Sequence, residues 1–209
     1  MLKFLAFITN KKYLFFHSAV ISFIMRLKGV AVGRNFYIEG VPNLKIRGKE
    51  QNIKIGNNVK IFGDIDLRNR ENGKIIIEDN VTIDNDCRFV SANNAVLKIG
   101  KNTSIGAFCI FNCGTNVTIG ENCLFAGMVN VQSSEHGFAK GKLIQKQNHT
   151  YSEIFIGNDV WIAFNAALTK GAYLEDGCVV GAKALVRAGK YNANSIIVGI
   201  PAKTIKERI

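Results

Sequence analysis

The sequence predicts an all-β fold, a parallel β-helix built from six-residue repeats, and three observations carry that reading. In the stretch 156–187, IGNDVWIAFNAALTKGAYLEDGCVVGAKALVR, apolar residues recur every six positions at Ile156, Ile162, Leu168, Leu174, Val180 and Val186. A second apolar or small residue follows four places after each of the first five: Val160, Ala166, Ala172, Cys178 and Ala184. A period of six fits neither a helix nor a plain strand. It fits a coil of three short flat sides, each contributing one aliphatic side chain to a triangular core. The third observation is the placement of Gly157, Gly171, Gly177 and Gly181, with Asn158, Asp159, Asn165 and Asp176, where corners need residues that tolerate positive φ.

Taken from its start, the chain opens on MLKFLAFITNKKYLFFHSAVISFIMRLK, a leader over residues 1–28. Its apolar run Tyr13–Met25 is broken by His17, Ser18 and Ser22 and is shorter than the ~20 residues that span a bilayer. No small-x-small cleavage site follows, so it does not read as a signal peptide. One or two helices are expected, with Arg26 and Lys28 in the last turn and Gly29 as the stop. Every charge in the leader is positive: Lys3, Lys11, Lys12, Arg26 and Lys28. Two roles fit it, packing on its own β-helix or a neighbouring subunit, and lying on an anionic inner leaflet.

The solenoid domain is expected over 29–209. A phrase recurs in it: IGNNV at 55, IEDNV at 77, IGKNT at 99, IGENC at 119 and IGNDV at 156. The first intervals are 22, 22 and 20 residues, one coil each with a small corner insertion. The last is 37, one coil plus an excursion within 133–153, SSEHGFAKGKLIQKQNHTYSE. Long insertions at one corner of a regular solenoid are usually functional loops. After Val186 the repeat decays, and a short helix is expected over 202–209.

Composition narrows the partners. The net charge of +11 points to anionic ones, and no nucleic-acid motif with interleaved aromatics appears. Cys87, Cys109, Cys123 and Cys178 each stand four places after a repeat aliphatic, the slot that takes small buried residues. Cys109 and Cys113 lack a second pair at zinc spacing. Structural thiols in a reducing compartment are the expectation.

Three histidines are available for chemistry. His17 lies in the apolar leader and suits core packing. His149 lies late in the excursion, as a solvated loop residue. His136 stands where the strand containing Val129 and Val131 leaves the solenoid, beside a cleft. There an imidazole can take a proton from an attacking hydroxyl or amine, or be an incidental loop residue.

IGNDVWI, DGCVVGAKALV and SIIVGIPAKTIKERI carry a resemblance to the hexapeptide-repeat acyltransferases. That superfamily includes galactoside, maltose and serine acetyltransferases and enzymes that O-acetylate bacterial surface polysaccharides. The likeness covers about 50–209, and the short hydrophobic, basic leader resembles the polysaccharide-modifying branch. It implies a left-handed β-helix, a homotrimer with active sites between subunits, and acetyl-CoA as donor with no metal required. Of the histidines, His136 matches the family's catalytic position. The resemblance assigns donor binding to Trp161, Ala163 (where the family usually has glycine), Ala182, Lys183, Arg187, Lys203 and Lys206. It puts Asn112 against the acceptor. Glu135 and Glu153 are the carboxylates nearest His136 in sequence, and either could orient it, with Glu135 also a candidate acceptor contact. The implied function is O-acetylation of a sugar hydroxyl on a bacterial surface polysaccharide, lipopolysaccharide or precursor, in the cytoplasm or at the inner membrane. The alternatives are N-acylation of a nucleotide-linked amino sugar and a non-enzymatic β-helix scaffold.

Overall fold

The computed structural model describes residues 12–209. The charges Lys3 and Lys11, and any helix ahead of Lys12, lie outside the described residues. The first element is helix α1, Lys12–Leu27. It stops as expected at Gly29, whose φ of 84° is open to glycine, with Gly29 N–H donating to the Arg26 carbonyl and Val30 N–H to that of Met25. Among the described residues no helix is long and apolar enough to cross a membrane.

From Ala31 onward the chain winds as a left-handed parallel β-helix. Among the described residues its strands form three long sheets, of eight, nine and seven strands, which are the sides of a triangular prism. Side one runs from Ala31–Val32 to Gly189–Tyr191, side two from Tyr37–Ile38 to Ser195–Gly199, and side three from Pro42–Gly48 to Leu185–Val186. Each turn visits them in that order. One coil reads Ile154–Ile156, Trp161–Ile162 and Ala167–Thr169, and the next Ala172–Leu174, Val179–Val180 and Leu185–Val186.

The hexad positions fill the core as the spacing requires. Ile156, Ile162, Leu168, Leu174, Val180 and Val186 are all buried, and so are the corner residues Val160, Ala166, Ala172, Cys178 and Ala184. The corner slots take small side chains because three walls converge there. Each aliphatic contributes about 1.5–3 kcal/mol by leaving water. In the middle coils the core is aromatic, with Phe111 edge-on to Phe89 and Phe125 at centroid distances of 5.1 and 5.5 Å. All five cysteines are buried and free. Burial raises the thiols of Cys113 and Cys178, and that of Cys123 to about 11.

Corners stack in register and hydrogen-bond from coil to coil. Asn35, Asn58, Asn80 and Asn102 form a side-chain amide ladder at 2.9–3.1 Å, each with φ near 55–60°. Asp79 and Asp176 each accept from a corner N–H one coil below, at Asn57 and Asn158, both at 2.7 Å. The recurring Gly-Asn and acidic pairs of the sequence are these corners.

The end of the chain corrects the sequence reading. Residues 202–209 do not form a helix: Ala202–Glu207 is a strand, antiparallel to Ser195–Gly199. The last parallel strand of side two leaves a row of unpaired backbone groups at the top of the prism. A short peptide gains more by pairing with that edge than by closing two isolated helical turns. Gly199, at φ 100°, helps turn the chain back. Arg208 fixes the end through Asp159, 2.8 Å away.

Candidate active site

The excursion leaves the corner between sides three and one, after the strand Asn130–Gln132. Its root is held by Ser133, whose buried hydroxyl accepts from Gly114 N–H and Thr115 N–H, both at 3.1 Å, and donates to the Thr115 carbonyl at 2.9 Å. Ser134–His136 then pairs antiparallel with His149–Tyr151, with Glu135 opposite Thr150 and His136 opposite His149. Gly114 keeps this hairpin close to the prism, because a Cβ there would meet the Tyr151 ring at 2.7 Å. Beyond the ladder, Gln147 braces the tip: its amide accepts from Ala139 N–H at 2.7 Å and donates to the carbonyls of Ala139 and Lys142. The excursion expected from the broken hexads is therefore an ordered hairpin. Phe138, Leu143 and Ile144 are exposed at its tip, with Lys140, Lys142 and Lys146 among them.

His136 sits at the open end of the ladder, solvent-accessible, with its ring centroid 4.0 Å from that of His149. His149 in turn stacks towards Tyr151 at 6.3 Å. The two carboxylates nearest His136 in sequence are engaged elsewhere. Glu135 lies 3.5 Å from the Lys170 ammonium, which also donates to the Thr150 hydroxyl at 2.6 Å. Glu153 accepts from the Asn116 amide at 2.8 Å. Asn112 lies on side three, half-buried, in register with Gln132 one coil up, which is itself in register with Thr169. This polar row leads along side three to the root of the hairpin.

The other predicted site residues gather on side two and its corner with side three. Trp161 is exposed on side two. It is in register with Leu124 below and Val179 above, then Ile196 and finally Lys206 on the added strand. The result is an apolar strip ending in a cation. Lys203, exposed, pairs with Val198 on the same strand. Ala163 is buried at the next corner, where its N–H donates to the Val180 carbonyl at 2.9 Å. One coil up stand exposed Ala182 and Lys183, the latter with φ 58°. Arg187 is apart from these, at the corner between sides three and one, on the edge that carries the hairpin.

One subunit thus splits the predicted site. His136 and Asn112 belong to side three and its far corner, and Trp161, Ala163, Lys203 and Lys206 to side two and its near corner. A full hexapeptide of side three, up to about 20 Å of extended chain, separates the two corners. His149 is exposed in the excursion as expected, but its contact with His136, and the contacts of Lys170 with Glu135 and Thr150, were not foreseen. The near-mirror tripeptides SEH and HTY at the two ends of the excursion were the available signal.

Comparisons with known proteins bear on the fold. A scan of family models gives no match. The chain is 41% identical over 56 residues to the putative lipopolysaccharide biosynthesis O-acetyl transferase WbbJ of Escherichia coli K12, which is 27% of this chain and 28% of that protein. The match therefore spans less than a third of the relative's length. Among solved structures, the polysialic acid O-acetyltransferase OatWY superposes with a TM-score of 0.54 at 22% identity, covering 85% of this chain and 88% of that one. AntD, an N-acyltransferase from Bacillus cereus, superposes with a TM-score of 0.54 at 18% identity, covering 89% and 87%. Repeat, solenoid and corner excursion together give this chain the fold of the hexapeptide-repeat acyltransferases, the superfamily it resembles in sequence.

Proposed function

We propose that the protein is an acyltransferase that moves the acetyl group of acetyl-CoA to a hydroxyl of a surface-polysaccharide sugar or its lipid-linked precursor. The observation that carries the reading is His136. The ordered hairpin that holds its imidazole, solvent-accessible, leaves the solenoid directly after Gln132, the middle member of the row Asn112–Gln132–Thr169. In this reading Asn112 and Glu135 help receive the acceptor, and His136 takes the proton from its hydroxyl. The oxygen attacks the thioester carbonyl, the C–S bond breaks, and the imidazolium returns the proton to the departing thiolate. A backbone N–H holds the developing oxyanion.

The donor would lie on the strip of side two. Trp161, Val179 and Ile196 offer an apolar track for the pantetheine arm, and Lys206 and Lys203 meet the phosphates at its end. Ala163, Ala182 and Lys183 would line the turn where the arm bends, with Arg187 near the acceptor edge. Because these groups and His136 stand on different edges, the reading requires a homotrimer in which one subunit's hairpin faces its neighbour's donor strip.

WbbJ is described as a putative lipopolysaccharide O-acetyl transferase and OatWY as a polysialic acid O-acetyltransferase, which supports a saccharide hydroxyl as acceptor. AntD was solved with dTDP and 3-hydroxybutyryl-CoA, which supports a CoA-linked donor and makes N-acylation of a nucleotide-linked amino sugar the second reading. Mass spectrometry of the host's surface glycans, with and without this protein, is the deciding experiment. Loss of one acetyl ester per repeat is the expected result. An unchanged glycan, together with no coenzyme A released from acetyl-CoA by purified protein and extracted acceptor, would leave the scaffold reading.

A further inference from the structure

Helix α1 is turned inside out for a protein surrounded by water. The side it presents to the solenoid carries the polar residues His17, Ser18 and Ser22, all buried, beside Leu14 and Met25. Ser18 exchanges hydrogen bonds with the backbone of Ile38, and His17 Nε2 lies 2.8 Å from the Gly40 carbonyl. Arg26 donates to the carbonyls of Val32 and Gly33. These contacts reach side one, side two and the following corner of the first coil, so the helix lies across the open bottom of the prism, with Met25 closing the core. Its opposite side is apolar and exposed: Phe16 is 69%, Phe23 61% and Leu27 72% accessible, with Phe15, Val20 and Ile24 beside them. An apolar helix face turned outward over polar residues turned inward needs a partner that is itself apolar.

We infer that this outer side of α1 docks the protein on a bilayer with anionic headgroups. Charge selects that occupant over a second copy of the chain. Lys12 and Lys28 flank the apolar side at its two ends, both exposed, and no acidic residue occurs before Glu39. Two such surfaces brought together would oppose cation to cation, whereas an anionic leaflet complements both the two flanking lysines and the apolar centre. At 16 residues the helix is about 24 Å long and lies along the interface instead of crossing it. Membrane docking does not depend on the proposed acyl transfer, and its test reads binding alone.

The test is co-sedimentation of the full chain with vesicles of phosphatidylcholine alone or with a quarter phosphatidylglycerol, at low and high salt. Binding to the anionic vesicles, reduced severalfold by salt, is expected. Lys12→Gln and Lys28→Gln should each lower partitioning about fivefold, and Phe16→Ser with Phe23→Ser roughly a hundredfold. All four side chains are exposed, so folding, followed by circular dichroism, should be unchanged. Equal pelleting by the Phe16→Ser/Phe23→Ser variant, no pelleting by the unaltered chain, or light scattering showing that the unaltered chain pairs through this helix would each overturn the inference. Binding lost only on removal of residues 1–11 would move the attachment to that segment and reject the helix face.

Discussion

His136 faces His149 across the two-stranded base of the hairpin, their ring centroids 4.0 Å apart. The imidazole proposed as the general base thus has as its ring neighbour a residue thirteen positions later in the chain. The carboxylates of Glu135 and Glu153 are turned to Lys170 and Asn116 instead.

His136→Ala should abolish transfer while leaving the fold intact, because loss of a general base costs on the order of 10²–10⁴ in rate. His149→Ala should cost roughly 10- to 100-fold through misplacement of the His136 ring. His149→Phe, which restores a ring at the same place, should recover most of that loss. Turnover numbers with acetyl-CoA and a soluble acceptor check all three. Near-normal turnover by His136→Ala would remove the residue from the mechanism.

The active species should be a homotrimer, three times the 23.0 kDa chain by light scattering. Ala163→Trp should block the donor turn, and neither it nor His136→Ala should turn over alone. Co-expressed, the two chains should regain activity, since some interfaces then pair an intact hairpin with an intact donor strip. A stable, active monomer would contradict the shared site.

Leu168→Ala removes a wholly buried side chain from side three, under the strand that neighbours the hairpin root. The expected loss is about 2–5 kcal/mol, read as a lower denaturation midpoint. Ala167→Ser, whose side chain points outward on the same strand, should change stability little.

Asp66 should make stability depend on acid. Burial alone would raise its carboxyl, but the hydrogen bonds and charge of Arg68, with the charges of Arg88 and Lys45, outweigh it and hold the group below its ordinary value. A depressed folded-state pKa adds stability above the unfolded value, about pH 4, and that stability is lost as pH falls through the folded pKa. Asp66→Asn should therefore destabilise the protein near neutrality and flatten the acid limb of its stability curve below about pH 4. Chemical denaturation at several pH values is the measurement.

The solenoid was legible because its rule is local and repeated: one aliphatic per side and one small residue per corner, from Ile156 to Val186. The stop of α1 at Gly29 was legible for the same reason, a backbone requirement written in one residue. The strand Ala202–Glu207 was not, since the open sheet edge that recruits it exists only after seven coils have stacked. The pairing of His136 with His149 depends in the same way on a hairpin closing across 133–153, and no period marks it. Likewise, the division of the predicted site between two edges of the prism follows from the phase of the winding, which motifs read in a line do not display.

The regular stacking of coils also makes the prism a ruler. Helix α1 lies under the first coil, and the hairpin leaves the fifth, four strand spacings or about 19 Å higher. With α1 lying in the interface and its apolar face sunk into the headgroup boundary, a protein docked in this way would carry the root of the hairpin about 20–25 Å above the lipid surface. A sugar joined directly to the lipid would lie beneath its reach, and residues further along a growing glycan would pass at its height. Each coil gained or lost between Ala31 and Asn130 would shift that height by one strand spacing, so coil number itself would select which position along the glycan is modified.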